Sequence, residues 1–298
     1  MGLSRGLTEL LIREAARKPF CGSIATLGRQ TITATRDQIE AQFARNGLSP
    51  KTQIDPMDDR TLFAAFGFEV VHSLDCNDYE GATHIFDLNQ PLLPSELDTK
   101  YDVVLDSGTL EHIFHVPNAL KNIVGLMKIG GRVIFQSPSS NHIDHGFYMF
   151  SPTFFIDYLS VNKFEIETIY VLRYSFDLTK LWDVYEYRPG PWSNFQALGL
   201  FDASPYLIYV IATKTADSTS DAIPQQGFYS ASYYKEKSDV RFSRNEEPPM
   251  EGLSFTRRSR RLIKGILSVL PGAAPFIHYH IWRARERSRL AKRLIGRF

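Results

Sequence analysis

The side chains best suited to proton transfer in this sequence lie in the loop from residue 137 to residue 152. His142 and His145 flank Asp144 there. Imidazole titrates near neutral pH, so either histidine could take a proton from an attacking hydroxyl as a general base. The three side chains could instead ligate a metal or belong to a solvated loop. Three ligands so close in one loop match structural zinc spacings poorly, so we predict no metal ligand.

Three aspartates follow short apolar segments along the chain. They are Asp75, Asp87 and Asp106. Short apolar runs of this kind are typical of buried parallel strands. Open α/β sheets bind ligands just beyond the carboxyl ends of their strands. The ordered series of three acidic strand ends therefore predicts a ligand-binding edge, and it is more specific than any one of its members.

The elements that must position these side chains are clearest between Tyr101 and Gln136. An apolar run ending at Asp106 predicts a strand. Apolar residues then recur at helical spacing over residues 118–127, and Gly130-Gly131 predicts the end of that helix. Residues 132–135 predict the next strand. A strand, a helix and a strand in this length indicate a βαβ crossover and hence a parallel sheet.

This unit resembles the fourth and fifth strands of class I S-adenosylmethionine-dependent methyltransferases. The matching residues are Tyr101-Asp102-Val103-Val104-Leu105-Asp106, Leu110-Glu111-His112, Leu126 to Gly131, and Val133-Ile134-Phe135. The resemblance extends from Ser23 to Thr213. It implies an α/β fold with a Rossmann-like, seven-stranded, mostly parallel sheet that ends in an antiparallel hairpin. It also implies S-adenosylmethionine as the cofactor.

The resemblance assigns the cofactor contacts to the strand ends. Asp75 would accept hydrogen bonds from the two ribose hydroxyls, because one carboxylate can accept from a vicinal diol. Its position in Asp75-Cys76-Asn77-Asp78 is also compatible with a simple turn. Asp87 would face the adenine amino group, and a backbone N–H at Leu88 would meet a ring nitrogen. The other predicted contacts are Gly28, Asp106 and Ser107.

The first motif departs from the family pattern. The family has an acidic residue and a glycine-rich turn after the first strand, whereas here only Gly28 remains and Arg29 and Gln30 follow it. Two interpretations stay open: a variant cofactor loop, or a fold that kept its scaffold and lost its cofactor. A lone glycine is a weak signal, and the missing G-x-G-x-x-G disfavours an NAD-binding oxidoreductase.

Two further features concern the acceptor side. Glu111-His112 recurs in the family at this point, more often as scaffold or pocket wall than as a chemical group. Residues 173–205 are rich in aromatic side chains, which could cover an acceptor pocket and stack on a sugar or ring, or could simply pack a long loop. These aromatic residues are Tyr174, Phe176, Trp182, Tyr185, Tyr187, Trp192 and Phe195.

Composition sets the broad class. Of the 298 residues, 43% are hydrophobic, which is ordinary for a globular protein with a large core. Two cysteines, Cys21 and Cys76, argue against a disulfide framework and fit a reducing cytoplasm. Charged residues within the first thirteen positions give no sign of a secretory signal. We therefore expect a cytoplasmic protein.

The net charge of +1 conceals a strong asymmetry. Residues 257–298 contain 12 of the 34 basic residues and one of the 33 acidic residues, so this segment carries +11 and the rest of the chain −10. A run without Asp, Glu, Lys or Arg over residues 265–282 is interrupted by prolines, which favours a surface helix over a membrane span. Leu290, Ala291, Leu294, Ile295 and Phe298 predict one face of a terminal helix. An anionic membrane surface, packing on the domain or on a second subunit, and nucleic acid all remain open as partners.

The sequence thus predicts three parts and one activity. Residues 1–215 form a methyltransferase-like domain, 216–256 a polar linker or arm, and 257–298 a basic amphipathic helical tail. The predicted activity is methyl transfer from S-adenosylmethionine to an oxygen or nitrogen of a small-molecule acceptor, such as a sugar. The alternative is a methyltransferase-like binding or scaffold protein without catalysis.

Overall fold

The computed structural model describes residues 2–98, 100–175, 177, 180–188, 202–226, 288, 291 and 293–298. Five α-helices and nine β-strands are present in this part of the chain. The helices are α1 (Arg5–Arg17), α2 (Arg36–Arg45), α3 (Asp59–Phe66), α4 (Val116–Leu126) and α5 (Pro152–Val161). The strands are β1 (Ser23–Leu27), β2 (Val70–Asp75), β3 (His84–Ile85), β4 (Tyr101–Ser107), β5 (Met127–Ser140), β6 (Glu165–Arg173), β7 (Asp183–Glu186), β8 (Tyr206–Thr213) and β9 (Leu294–Arg297).

All nine strands form one sheet in the order β3-β2-β1-β4-β5-β8-β6-β7-β9. The pairs from β3 to β5 are parallel, and β8 enters antiparallel between β5 and β6. The first seven strands in this order confirm the predicted Rossmann-like sheet with its antiparallel hairpin. The order reverses at β1 and β4, and such a switch point opens a crevice at the carboxyl ends of the strands.

Helices cover both faces of the sheet. One apolar core packs α1, α2 and α3 against one face, and the other packs α4 and α5 against the opposite face. Alternate residues of β4 serve the two cores: Val103 and Leu105 point to the first, and Val104 to the second. The central strands are therefore buried on both sides, and polar side chains concentrate at their ends.

Helix starts follow the sequence signals closely. Thr35 caps α2 and Asp58 caps α3, each in a capping box, and Ser151 caps α5 with Pro152 in the first turn. Gly67 ends α3 in the left-handed conformation, with φ of 111°. Each of these three helices begins directly after the residue whose side chain caps it.

The predicted end of α4 is wrong. The helix stops at Leu126, four residues before Gly130. The ammonium group of Lys214 donates to the carbonyl oxygens of Val124 and Met127, both at 2.9 Å, and so satisfies the C-terminal carbonyls that a glycine cap would otherwise serve. Gly130, with φ of 81°, turns the chain later, where its N–H pairs with Lys214.

The predicted terminal helix is also wrong at its end. Leu294–Arg297 is strand β9, which pairs antiparallel with β7. Phe298 is buried, its backbone N–H and carbonyl pair with Trp182, and the guanidinium of Arg13 lies 3.7 Å from the centre of its ring. The last residues of the predicted helical tail therefore belong to the domain's sheet, because backbone pairing at the β7 edge competes with helix formation.

The start of the predicted linker packs on the domain as well. The side chain of Asn162, at the end of α5, bonds with Thr219 and with the backbone of Ala222. Most of the predicted arm and basic tail, residues 227–287, lies outside the described residues, as do Phe176, Trp192 and Phe195 of the aromatic segment. Within the described residues, no helix has both the length and the apolar character needed to cross a membrane.

Candidate active site

Gly28 lies at the switch point of the sheet. It follows β1 with φ of +73°, a left-handed conformation that favours glycine, and its N–H donates to the carbonyl of Leu74 at 2.6 Å. A Cβ placed here would lie 3.8 Å from Oδ2 of Asp75 and 3.6 Å from Oγ1 of Thr109. The ends of β1, β2 and β4 therefore meet around this residue.

Asp75 ends β2 and is half-buried. Within the described part of the chain its carboxylate makes no hydrogen bond or ion pair, whereas its backbone carbonyl accepts from Phe86 at 2.7 Å. The backbone is thus fixed by β3 while the side chain is available to a ligand. A carboxylate in this state can accept two hydrogen bonds from a diol.

Asp87 follows β3 and is engaged by its own turn. One carboxylate oxygen, Oδ1, accepts from the backbone N–H of Asn89 at 2.9 Å and from its side-chain amide at 2.8 Å. These hydrogen bonds lower the pKa of Asp87. Leu88 is buried in the core beside it. Both residues lie where the sequence predicted them, at the third strand end.

The loop after Gly28 is built from side chains instead of further glycines. The Arg29 guanidinium grips the carboxylate of Asp59, with Nε 2.9 Å from Oδ2 and Nη2 2.6 Å from Oδ1. The same carboxylate accepts from the backbone N–H of Gln30 at 2.8 Å, and the Gln30 amide donates back to the carbonyl of Leu27 at 3.1 Å. The loop is therefore held in a defined shape without the family's glycine pattern.

Asp106 is fully buried at the end of β4, where it organises the following turn. Its Oδ1 accepts from the backbone N–H groups of Thr109 at 3.0 Å and Leu110 at 3.2 Å, and Oδ2 lies 3.4 Å from the hydroxyl of Ser137. Burial raises the pKa of Asp106, and these donors oppose that rise. Ser107 is buried beside it. Both residues were predicted to contact the cofactor. They are buried, and Asp106 instead holds the turn that follows β4.

A second polar group lies between the ends of β4 and β5. Glu111 is fully buried in the 3₁₀ turn Leu110–His112, and neither carboxylate oxygen has a hydrogen-bond partner in the described part of the structure. Its Oε1 lies 3.4 Å from Nε2 of His145 and 3.9 Å from Nε2 of His112. Burial, and then the nearby charge of Asp106, raise the pKa of Glu111.

His142 borders this group. It is buried, its ring centre lies 5.5 Å from that of His145, and Nε2 has no partner among the described residues. The ring is hydrogen-bonded to the backbone of Tyr206, which leaves Nε2 as the available nitrogen. Burial lowers the pKa of His142 and of His145. Both are therefore neutral imidazoles near pH 7, with a lone pair for a proton or a ligand.

Backbone contacts hold the loop that contains His142 and His145 against the 3₁₀ turn Leu110–His112. The carbonyl of Glu111 accepts from the N–H of Phe147 at 2.8 Å, and a Cβ on Gly146 would lie 2.9 Å from that same oxygen. Asn141 and Asp144 adopt positive φ values of 61° and 65° on either side of His142. Such backbone conformations are uncommon outside glycine and cluster at functional sites.

The structure thus divides the predicted residues into two groups. Gly28, Asp75, Asp87 and Leu88 collect around the ends of β1 to β3, and His142 and His145 lie near the ends of β4 and β5. Asp144, which the sequence placed with the histidines, is exposed and does not join them. Glu111 was missed as a site residue. Its burial is what marks it, because a buried acidic residue needs a partner, and the sequence alone did not show that Glu111 is buried.

No family model and no curated protein matches this chain. Among solved structures, the chain is similar to a SAM-dependent methyltransferase from Archaeoglobus fulgidus, with 16% identity, a TM-score of 0.36, and coverage of 71% of this chain and 95% of that one. It is also similar to a putative S-adenosylmethionine-dependent methyltransferase from Listeria monocytogenes, with 14% identity, a TM-score of 0.40, and coverage of 71% and 98%.

A third similar structure contains ligands. It is the Burkholderia thailandensis 1,6-didemethyltoxoflavin-N1-methyltransferase with bound 1,6-didemethyltoxoflavin and S-adenosylhomocysteine, at 15% identity and a TM-score of 0.35, covering 71% of this chain and 78% of that one. The fold class of this chain rests on its own strand order, which is that of the class I methyltransferase sheet.

Proposed function

We propose that this protein is an S-adenosylmethionine-dependent methyltransferase acting on a small molecule. The observation that carries the proposal is the carboxylate of Asp75, which lies beside Gly28 at the switch point of the sheet and has no hydrogen-bond or ion-pair partner among the described residues. The fold adds an argument by analogy, because related folds bind ligands at this crevice. The Glu111 and histidine group adds a chemical site next to it.

The residues around Gly28 suit the cofactor. Asp75 offers two oxygens to the ribose hydroxyls, and Gly28 leaves space where a side chain would intrude. Asp87 and Leu88 would border the adenine. When bound, S-adenosylmethionine supplies an electrophilic methyl group on a sulfonium. The protein's own task is then to hold the acceptor in line with that methyl and to receive the acceptor's proton.

We infer that the acceptor is a hydroxyl or amine of a small molecule such as a sugar. The acceptor oxygen or nitrogen forms the new bond to carbon, the carbon–sulfur bond breaks with its electron pair going to sulfur, and the acceptor proton passes to a histidine. His142 and His145 are the candidates for this general base. His142 is the better placed of the two, because a backbone hydrogen bond orients its ring and leaves Nε2 available.

Calorimetric titration with S-adenosylmethionine and S-adenosylhomocysteine tests the cofactor assignment. Asp75→Ala removes a charged acceptor, and hydrogen bonds to charged groups contribute roughly 1.5–3 kcal/mol. We therefore expect affinity to fall about tenfold or more. Asp78→Ala is the matched control, because Asp78 is an exposed carboxylate three residues farther along the same loop. Its affinity should equal that of the wild type.

The scaffold alternative makes the opposite prediction. If the wild-type protein binds neither compound at millimolar concentration, methyl transfer is excluded and a binding protein with this fold is the better account. If binding occurs but Asp75→Ala and Asp78→Ala behave alike, the cofactor lies elsewhere on the molecule.

We also propose that the basic segment from residue 257 contacts an anionic membrane surface. Its charge of +11 supports this, since each basic residue near such a surface contributes on the order of 1 kcal/mol. The packing of Phe298 and β9 on the domain returns the chain to the sheet at its last residues. Flotation with anionic and neutral vesicles tests the proposal, and absence of the full-length protein from both vesicle fractions would refute it.

A further inference from the structure

Glu111, His112 and His145 place three ligand atoms around one point. Among the described residues, the ligand atoms of these side chains all lie within 4.8 Å of one another. The carboxylate comes from the turn after β4, and His145 comes from the loop after β5. The two segments are joined by the hydrogen bond from the N–H of Phe147 to the carbonyl of Glu111. The group is therefore assembled by the fold and is not a chance feature of one loop.

The carboxylate supplies an independent reason to expect a ligand here. Glu111 has no exposed surface, and both of its oxygens lack a hydrogen-bond partner in the described part of the chain. Leaving a buried polar group unpaired costs about 1–3 kcal/mol, and more for a charged group. The Nε2 atoms of His142 and His145 are also buried without a partner. Several unsatisfied groups facing one space indicate that something binds between them.

The spacing favours a metal ion over an ammonium group. Ligand atoms on a tetrahedral ion with bonds of about 2.1 Å are about 3.4 Å apart. Around an ammonium group with hydrogen bonds of about 2.9 Å they would be about 4.7 Å apart. The carboxylate oxygen lies 3.4 Å from His145 and 3.9 Å from His112. Both distances are closer to the metal geometry, and the third separation, between the ligand atoms of the two imidazoles, is within 4.8 Å.

We propose that Glu111, His112 and His145 bind a divalent transition-metal ion of the zinc class. Two imidazoles and one carboxylate form the ligand set of catalytic zinc sites and of some iron sites, in which at least one coordination position stays open. Resting on the proposed function, the open position would take the acceptor oxygen and make its proton easier to remove. His145 is then a ligand, and His142 alone receives the proton.

Metal binding is tested without cofactor or acceptor, so its outcome is independent of methyl transfer. The full-length protein is stripped with a chelator and titrated with Zn²⁺ against a competing indicator, and Co²⁺ is followed by its visible absorption. We expect one ion per chain and much weaker binding of Mg²⁺, which prefers oxygen ligands. Zn²⁺ should also raise the unfolding temperature, because it binds the folded state.

Single variants separate the site from other histidines. Removing a residue that only hydrogen-bonds to a metal ligand typically lowers metal affinity about 10–100-fold. Removing a ligand itself should cost at least as much, so Glu111→Gln, His112→Gln and His145→Gln should each weaken Zn²⁺ binding by about 100-fold or more. His112 is exposed, so its variant is expected to fold normally. The controls are His115→Gln, an exposed histidine three residues from His112, and His72→Gln in the β2–β3 half of the sheet. No stoichiometric Zn²⁺ binding by the wild type, or equal losses in the controls and the site variants, would overturn the proposal.

Discussion

Two histidine clusters lie in different halves of the same sheet, and they differ in how their nitrogens are satisfied. In the β2–β3 half, Nδ1 of His72 lies 2.9 Å from the hydroxyl of Tyr101 and 3.2 Å from Nε2 of His84. In the β4–β5 half, Nε2 of His142 and of His145 have no hydrogen-bond partner among the described residues. The imidazoles of the first cluster are hydrogen-bonded to each other and to Tyr101, whereas the second cluster contains buried nitrogens without a partner among the described residues.

This difference separates structural from functional polar groups better than residue type does. Imidazoles occur in both clusters, and burial lowers the pKa of the histidines in both. Only the second cluster combines them with a buried carboxylate that lacks donors. Because native proteins pair nearly all buried polar groups, a concentration of unpaired ones at a strand-end crevice points to a ligand. The predictions below test that inference in order of expected effect.

The largest effect should come from His142. If it is the general base, His142→Gln should lower turnover by about 10²–10⁴-fold, the usual contribution of such a group. The affinity for S-adenosylmethionine should stay within a factor of two or so, because the lost nitrogen faces the acceptor. Both are measured once an acceptor has been found by screening hydroxylated small molecules.

His84→Gln provides the matched control for that experiment. It removes an imidazole whose pKa is also lowered by burial, but from the cluster whose nitrogens are hydrogen-bonded to one another and to Tyr101, so turnover should be nearly that of the wild type. If the two variants lose activity equally, a histidine without a hydrogen-bond partner is no more important for turnover than a hydrogen-bonded one. If His142→Gln keeps full turnover, the base is another group.

The next effect concerns the stability of the fold. It compares two buried carboxylates that differ in whether they have hydrogen-bond donors. Asp106 is paired with two backbone N–H groups, whereas Glu111 has no donor. Asp106→Ala leaves both N–H groups unpaired, at about 1–3 kcal/mol each, so the free energy of unfolding should fall by about 2–6 kcal/mol. Glu111→Gln removes an unpaired buried acid and should leave stability unchanged or raise it.

Chemical denaturation of chelator-treated protein at pH 7 measures both changes. Asp106→Asn is the control for Asp106→Ala, since an amide oxygen can still accept from Thr109 and Leu110. It should therefore cost less than the alanine variant. An equal loss of stability in Glu111→Gln and Asp106→Ala would show that Glu111 also serves the fold, and the contrast would fail.

The sequence predicted the β1–β3 half of the site more completely than the β4–β5 half. Asp75 and Asp87 are recognisable because each directly follows an apolar segment, so local order along the chain fixes their place. Glu111 and His145 are 34 positions apart in the sequence, and their contact depends on how the loop after β5 folds back over the turn after β4. That loop needs Gly146 and two residues with positive φ, and periodicity does not reveal such features.

The fold shows the same division between local and long-range information. The strands that precede Asp75 and Asp87, the strand that ends near Asp106 and the strand over residues 132–135 were predicted from apolar runs. Strands β7 and β9 were missed. β7 pairs with its neighbour β6, but β9 pairs only with β7, which ends more than a hundred positions before β9 begins. The helical pattern of Leu290, Leu294 and Phe298 is real in the sequence, yet the open edge of β7 determines the structure of residues 294–297.

The smallest expected effect is the pH dependence of stability that comes from the cluster of His72 and His84. Burial lowers the pKa of His72 and of His84; the charge of His84 lowers that of His72 further, and Lys100 lowers both, while Glu96 opposes the shift at His84. The unfolded chain binds these protons near pH 6.5, above the folded pKa values. Stability is therefore fully present above pH 6.5 and is lost as the pH falls from there towards the folded pKa values, by at most about 1.4 kcal/mol per pH unit for each histidine.

The double variant His72→Gln/His84→Gln should have a flatter stability curve between pH 7 and pH 5 than the wild type, measured by urea unfolding in the presence of a chelator. Because the other histidines are unchanged, the difference between the two curves reports on His72 and His84 alone. Parallel curves would show that the hydrogen bond between His72 and Tyr101 offsets the desolvation of the two imidazoles.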